Sequence, residues 1–283
     1  MTSGPTIRIY DVHRKKADGA TEPVGDALAV EEPLEISING QPLAVLMRTP
    51  GDDAALAAGF LITEGVVGGI NDIAEIAYVE DVSDAIEAGD ILGDVAGNRL
   101  DVSLAPGIEI DREKLARNFF SNSSCGVCGK GSIEAVNVKA APLAGNWKVS
   151  PALILSLPAK LRERQRAFDQ TGSIHAAGLF DLKGDLIRMA EDIGRHNAVD
   201  KVIGGAALDH GLPLDETILA VSGRIGFEIA QKALLAGVPC VAAISGATSL
   251  SVDLAVDQGM TMIGFVRGES MTVYHGSWRV DAT

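Results

Sequence analysis

Apolar and polar residues alternate through residues 35–47 (EISINGQPLAVLM) on both sides of Asn39-Gly40, a pattern that predicts a β-hairpin. Pro42 assigns the second strand to a sheet edge, or delays its start, because proline donates no ladder hydrogen bond. Asp52-Asp53 then open an apolar helix through Leu56, Phe60 and Leu61, which stops at Gly65. Residues 73–82 and 99–104 read as strands, and residues 111–117 as a short helix. Residues 1–30 are polar and aperiodic, and they predict a flexible N-terminal arm.

The second half has a different rhythm. Ser156-Leu157-Pro158 predicts a helix with proline in its first turn, running to about residue 168. Residues 174–180 and 186–191 flank Lys183-Gly184 as a second hairpin. Residues 192–208 are helical by the spacing of Val199, Val202, Ile203 and Ala206. Strand 217–221, helix 227–235, strand 239–244, helix 249–256 and strands 260–266 and 271–274 follow. Apolar strands with short connections predict a parallel or mixed sheet covered by helices. A boundary near residue 140, in AAPLAGN, gives three parts: the arm at 1–30, a smaller α+β domain at 31–140 and an α/β domain at 141–283.

Composition narrows the function classes. Lys and Arg number 24 against 38 Asp and Glu, a net charge of −14, which disfavours nucleic acid and anionic membranes as partners. Any anionic ligand must therefore be met by local arginines or backbone N–H groups. The N-terminus has no apolar stretch of signal-peptide length, and no window is long enough to span a bilayer. Three cysteines are too few for a disulfide scaffold, so a cytoplasmic protein with reduced thiols is expected.

Two of those cysteines, Cys125 and Cys128, stand in FFSNSSCGVCGKG at residues 119–131. A structural zinc site wants four ligands, and the one other cysteine is Cys240. A redox pair normally opens a helix, which Gly126, Gly129 and Gly131 oppose. Two thiols close by chance would more often be buried. The flanks suit a nucleophilic or sulfur-carrying cysteine on a swinging loop, its thiolate favoured by Lys130 and Arg117. On spacing alone that reading ties with redox chemistry.

Three late strands end in small polar loops: residues 222–226 (SGRIG), 245–249 (SGATS) and 267–270 (RGES). In α/β sheets ligands bind beyond the carboxyl ends of strands, and a following helix N-terminus attracts phosphate. Ser222, Gly223, Arg224 and Arg267 are candidate ligands there, although glycine and serine also favour ordinary turns. No P-loop or dinucleotide fingerprint is present, so ordinary ATP or NAD chemistry is not supported. His196 lies four residues from both Asp192 and Asp200, so either carboxylate can orient its ring. His175, alone at a strand start, reads as a core histidine.

Taken together, SSCGVCGKG, TGSIHAAGLF, EDIGRHNAVDKVIG, SGRIGFEIAQKALLAGVP and GFVRGESMTVYH closely resemble the formate dehydrogenase accessory sulfurtransferase family, FdhD, from about residue 32 to residue 276. The resemblance implies a sulfur carrier. A cysteine desulfurase loads a persulfide on Cys125, with Cys128 assisting. The sulfur passes to the molybdenum or tungsten bis-molybdopterin guanine dinucleotide cofactor before that cofactor enters formate dehydrogenase. It further implies a cofactor-binding loop at Phe265, Val266, Arg267, Gly268, Glu269 and Ser270, a homodimer, and a cytidine-deaminase-like C-terminal fold. A zinc deaminase wants His-x-Glu and Pro-Cys-x-x-Cys. Here His175-Ala-Ala177 lacks the glutamate and Pro239-Cys240-Val-Ala-Ala243 lacks the second cysteine, so no resident metal is expected. The alternative from another class is a cofactor-binding chaperone for formate dehydrogenase maturation, with sulfur chemistry incidental.

Overall fold

The structure is a computed structural model that describes residues 5–79, 97–110, 140, 143 and 145–281. It opens with β1 (Ile7–Lys15) and β2 (Thr21–Ala29), paired antiparallel as a two-stranded sheet of their own. This corrects the expectation of an aperiodic arm. Both faces of the ribbon are largely exposed, so no apolar period marks it. The overlooked signal is Asp18-Gly19: Gly19 turns with φ 87°, and Asp18 Oδ1 accepts from the Ala20 N–H at 2.9 Å.

A four-stranded sheet follows, built from β3 (Glu32–Ile38), β4 (Gln41–Arg48), β5 (Ile73–Tyr78) and β6 (Arg99–Leu104) in the order β4-β3-β6-β5. Asn39 (φ 50°) and Gly40 (φ 73°) are both left-handed, as a two-residue type I′ turn requires. Pro42 lies on β4, an edge strand, where its missing N–H costs no ladder bond. Helix α1 (Asp53–Thr63) packs Leu56 and Leu61 onto Leu34, Ile36, Leu100 and Val102. Asp53 does not cap that helix. It is buried against Arg48, whose Nη2 and Nε lie 2.9 and 3.0 Å from its oxygens, and it accepts from the Tyr78 hydroxyl at 3.0 Å.

The larger sheet has six strands in the order β12-β11-β10-β9-β7-β8. These are β7 (His175–Asp181), β8 (Leu186–Asp192), β9 (Thr217–Val221), β10 (Cys240–Ala243), β11 (Thr261–Arg267) and β12 (Ser270–His275). Strands β9, β10 and β11 run parallel; β7 is antiparallel to β8 and β9, and β12 is antiparallel to β11. The sheet is apolar on both faces, which is why its strands read as continuous hydrophobic runs. Leu219, Val221, Val241, Ala243 and Met262 face one layer, while Ile218, Ala220, Cys240, Ala242 and Ile263 face the other.

Helices α2 (Pro151–Arg162) and α3 (Arg166–Thr171) precede the sheet; α4 (Arg195–His210), α5 (Phe227–Leu235) and α6 (Ser249–Gln258) lie between its strands. Two starts differ from the sequence pattern. Helix α2 begins at Ser150, whose Oγ accepts from the Leu153 N–H at 3.2 Å, with Pro151 at the first position and Pro158 inside. Ile154, Leu157 and Leu161 bury one stripe of α2 on the sheet, and that burial offsets the lost bond at Pro158. Helix α4 begins at Arg195 because Asp192 still pairs with His175 across β7 and β8.

The two sheets are joined by the crossing of α1 over α4. A Cβ placed on Gly59 would lie 1.9 Å from the Asp200 carbonyl oxygen, and one on Gly204 would lie 2.0 Å from that of Ala55. Backbone meets backbone there, and only glycine fits. Gly59→Ala is expected to destabilise the protein by roughly 3 kcal/mol through overpacking. Gly69→Ala, where nothing lies within 4 Å, should stay within about 0.5 kcal/mol of the parent in the same denaturant titration.

Candidate functional site at the strand-end rim

Because β9, β10 and β11 are parallel, their carboxyl ends share one edge of the sheet. Strand β8 ends on that edge too, and β7, running opposite, starts there with His175. The rim therefore collects residues 222–226, 244–248 and 265–270, the stretch 193–196 and His175. Ser222, Gly223, Arg224, His196 and the segment from Phe265 to Ser270 all come to this edge.

Their side chains are not equivalent. Arg224, Phe265, Arg267, Gly268, Glu269 and Ser270 are exposed. Val266 is fully buried in the core under α2, so its side chain serves packing. Ser222 Oγ accepts from the Ala176 N–H at 3.0 Å, tying the start of β7 to the end of β9. Gly223 faces His175 and Arg195, each of which would lie 3.8 Å from a Cβ at that position.

Phe265 sits in a β-bulge between β11 and β12 with φ 52°, a left-handed backbone that costs a phenylalanine roughly 1–2 kcal/mol. The residue is 40% exposed, and its ring packs on Gly246, where a Cβ would come within 2.9 Å of Cζ. The Arg267 guanidinium lies 5.1 Å from the ring centroid, a cation–π contact. The following turn, at Gly268 and Glu269, returns the chain into β12 as a hairpin, so no helix dipole acts there.

The helix starts on the rim divide into two kinds. Helix α6 is closed by its own capping box, Thr248 with Ser251. Helices α4 and α5 are preceded by Gly194 and Gly226 at the capping position, which offer no side-chain cap. Among the described residues no side-chain cap closes either start, so the positive ends of two dipoles lie on the rim. Of the two helix-starting loops, the one before α5 suits an anion and the one before α6 does not.

The histidines also differ from the expectation. Neither Asp192 nor Asp200 orients His196. Its Nε2 lies 2.6 Å from Glu228 Oε2, in the first turn of α5. Asp192 is taken by Lys201 Nζ at 2.7 Å, and Asp200 by Lys232 Nζ at 3.0 Å. His175 is a half-buried rim residue rather than a core one, and burial, then the Arg195 and His196 charges, push its pKa below the ordinary histidine value. Glu228 was missed because its partner lies on another helix, which no spacing within one segment reveals.

Cys125, Cys128, Arg117, Lys130 and the short helix at 111–117 lie outside the described residues. Cys240 is buried in β10, and burial pushes its thiol up to about 12, which leaves it unreactive at neutral pH. Among the described residues no His, Cys, Asp and Glu group is arranged to hold a metal, and no helix is long and apolar enough to cross a membrane.

A six-stranded mixed sheet layered by helices, joined through the α1–α4 crossing to a four-stranded sheet and carrying a polar strand-end rim, defines a mixed α/β fold. The FdhD/NarQ family model matches residues 29–281, and the chain belongs to that family. A protein of Streptomyces avermitilis named sulfur carrier protein FdhD is 48% identical over 266 residues, 93% of this chain and 92% of that one. The protein of that name from Sulfolobus acidocaldarius is 43% identical, covering 94% of this chain and 96% of its own. The crystal structure of a candidate formate dehydrogenase accessory protein from Desulfotalea psychrophila shares the fold, with a TM-score of 0.77 at 23% identity over 98% of this chain and 100% of that one.

Two measurements test this site. Phe265→Gly is expected to be more stable than Phe265→Ala by about 1 kcal/mol in thermal melts, because glycine relaxes the left-handed backbone. Iodoacetamide at about pH 8 should spare Cys240 in the folded protein and label it after denaturation, as read by peptide mass mapping. A thiol whose pKa is raised on folding adds stability that is complete below about pH 8.5 and fades as pH climbs toward 12.

Proposed function

We propose that this chain is a sulfurtransferase that carries sulfur for the maturation of formate dehydrogenase. The observation that carries this reading is the name of its relatives, sulfur carrier proteins 43–49% identical over nine-tenths of the chain. Cys125-Gly-Val-Cys128, set in a glycine-rich segment beside Lys130, supplies thiols suited to that role. The Cys125 thiolate attacks the outer sulfur of a cysteine desulfurase persulfide. One S–S bond breaks as another forms, leaving the desulfurase thiolate and a Cys125 persulfide.

The receiver is the molybdenum bis-molybdopterin guanine dinucleotide cofactor, bound as substrate. The rim supports this through its exposed Arg224 and Arg267, the Phe265 ring, Ser222 with Gly223, and the open starts of α4 and α5. His196, paired with Glu228, lies on the same rim. For release, the Cys128 thiolate attacks Cys125 Sγ, closing a disulfide and freeing hydrosulfide to the metal; a cellular dithiol then reduces the disulfide. The protein works as a cytoplasmic homodimer, with cysteine desulfurase and formate dehydrogenase as partners.

Intact-mass measurement after incubation with a desulfurase and cysteine should show one added sulfur, removed by a reductant and absent in Cys125→Ala. No gain, or the same gain in that variant, overturns the reading. If a Cys125→Ala, Cys128→Ala double variant restores formate dehydrogenase activity in cells while Arg267→Ala does not, the protein is a cofactor chaperone.

A further inference from the structure

Arg195 is set against the grain of its surroundings. It opens α4, where the positive end of the helix dipole disfavours a cation. The chain has 38 acidic residues to 24 basic ones, and Arg195 is partly buried, yet among the described residues no carboxylate or other acceptor binds it. The carboxylates just before it in the chain are engaged elsewhere. Glu191 accepts from the N–H groups of Ala167 and Phe168, each at 2.8 Å. Asp192 is held by Lys201 at 2.7 Å and by the Gly194 N–H at 2.8 Å. A guanidinium does not lose its proton in a protein, so the Arg195 charge stands on the rim without a counter-charge among the described residues.

Across the loop after β9 lies His175, at the start of β7. A Cβ on Gly223 would lie 3.8 Å from Arg195 Cδ, 3.8 Å from His175 Nδ1 and 3.9 Å from His175 Cε1, so both side chains border the same space. Gly223 does not have a left-handed backbone, and those distances are ordinary contacts. Neither backbone angle nor packing therefore demands glycine at this position. What glycine does is keep the space between the arginine and the histidine open. Burial and the charges of Arg195 and His196 push the His175 titration below the ordinary histidine value, and Asp192 opposes them. At neutral pH the imidazole is then uncharged, with one ring N–H to donate. A guanidinium fork and an N–H donor around an open space suit a phosphate oxyanion, which the fork binds through two oxygens.

We propose that Arg195, His175 and Gly223 form a phosphate subsite of the rim that takes a diphosphate group: Arg195 binds two of its oxygens, His175 donates from Nδ1 to a third, and Gly223 lets the group approach the backbone. This rests on the reading above that the rim receives a phosphate-bearing ligand, and it adds Arg195 and His175 to the residues that touch it. Exposed Arg224 follows Gly223 directly and brings a second guanidinium to the same loop. The bound diphosphate supplies the counter-charge that Arg195 does not find in its own chain, and it does so only while the ligand is present.

Guanosine diphosphate, inorganic pyrophosphate and guanosine are titrated calorimetrically into the full chain at about pH 7.5, above the range in which His175 is charged. Arg195→Gln should bind both phosphate-bearing probes about tenfold more weakly than the parent, a change equivalent to about 1.4 kcal/mol, and should leave guanosine binding unchanged. Gly223→Ala should melt with the parent, since its Cβ meets only ordinary contacts, yet weaken both phosphate-bearing probes by filling the space between Arg195 and His175. In a proton NMR titration, saturating pyrophosphate should raise the pH at which the His175 ring titrates, because a bound anion favours the imidazolium. Arg195→Gln should raise it in the free protein as well, by removing a like charge.

Unchanged affinity in Arg195→Gln or Gly223→Ala, a loss shared equally by guanosine, or a His175 titration that pyrophosphate does not move overturns the subsite while leaving the rim reading intact. Failure of the parent protein to bind either phosphate-bearing probe overturns the rim reading and the subsite with it. Should Arg195→Gln fold poorly by circular dichroism, Gly223→Ala and the His175 titration of the parent still decide.

Discussion

The rest of the molecule depends on the crossing of α1 and α4, where the Gly59 and Gly204 backbones pass within contact of their opposite numbers. Any side chain there would hold the helices apart. Their closeness brings Thr63 and Glu64 within reach of Lys232, and the chain just before α1 within reach of α4. Thr49 then donates its N–H to Asp192 at 3.2 Å and offers its carbonyl to Lys201 at 2.7 Å, while Asn197 binds the Met47 carbonyl at 2.8 Å. Buried charges are costly unless each has its partner, and losing one partner of such a pair costs about 3–5 kcal/mol. The crossing is what makes each of these partners available, and with them a fixed position for residues 192–197 on the rim.

That fixed position matters because the chain as a whole repels anions. With a net charge of −14, long-range attraction of the proposed phosphate-bearing ligand is not available, so its binding would have to come from short-range donors. The rim supplies three kinds: the exposed arginines at 224 and 267, backbone N–H groups at two helix starts that lack a side-chain cap among the described residues, and the ring of Phe265 with a cation beside it. For the proposed ligand, acidic surface elsewhere would raise selectivity, since an anion would find favourable ground only where those donors converge.

Much of this was legible in the chain. The turn at Asn39-Gly40, the strand at Arg99–Leu104 and the alternation after residue 217 were plain because local chemistry decides them: left-handed turn residues, and strands buried on both faces. The N-terminal ribbon was not, because its strands are held by backbone pairing and leave no apolar stripe. The start of α2 was hidden because burial of Ile154, Leu157 and Leu161 carries the helix through Pro158, a cost that local propensity alone would not accept. At the rim, residue types and strand ends located the candidates, but partners were assigned by sequence distance. His196 was matched to aspartates four residues away, whereas the fold gives those to lysines and gives His196 a glutamate on the next helix.

The seam between α4 and α5 has one more property. On α4 a histidine is followed one turn later by an aspartate, and on α5 a glutamate is followed one turn later by a lysine. In register, each group meets its opposite. Slide α5 by a single turn in one direction and carboxylate opposes carboxylate; slide it in the other and lysine opposes histidine, so neither carboxylate keeps its partner. The seam is a two-tooth key, and a ratchet motion of the kind that relays signals in other helix pairs is the movement this one is cut to refuse.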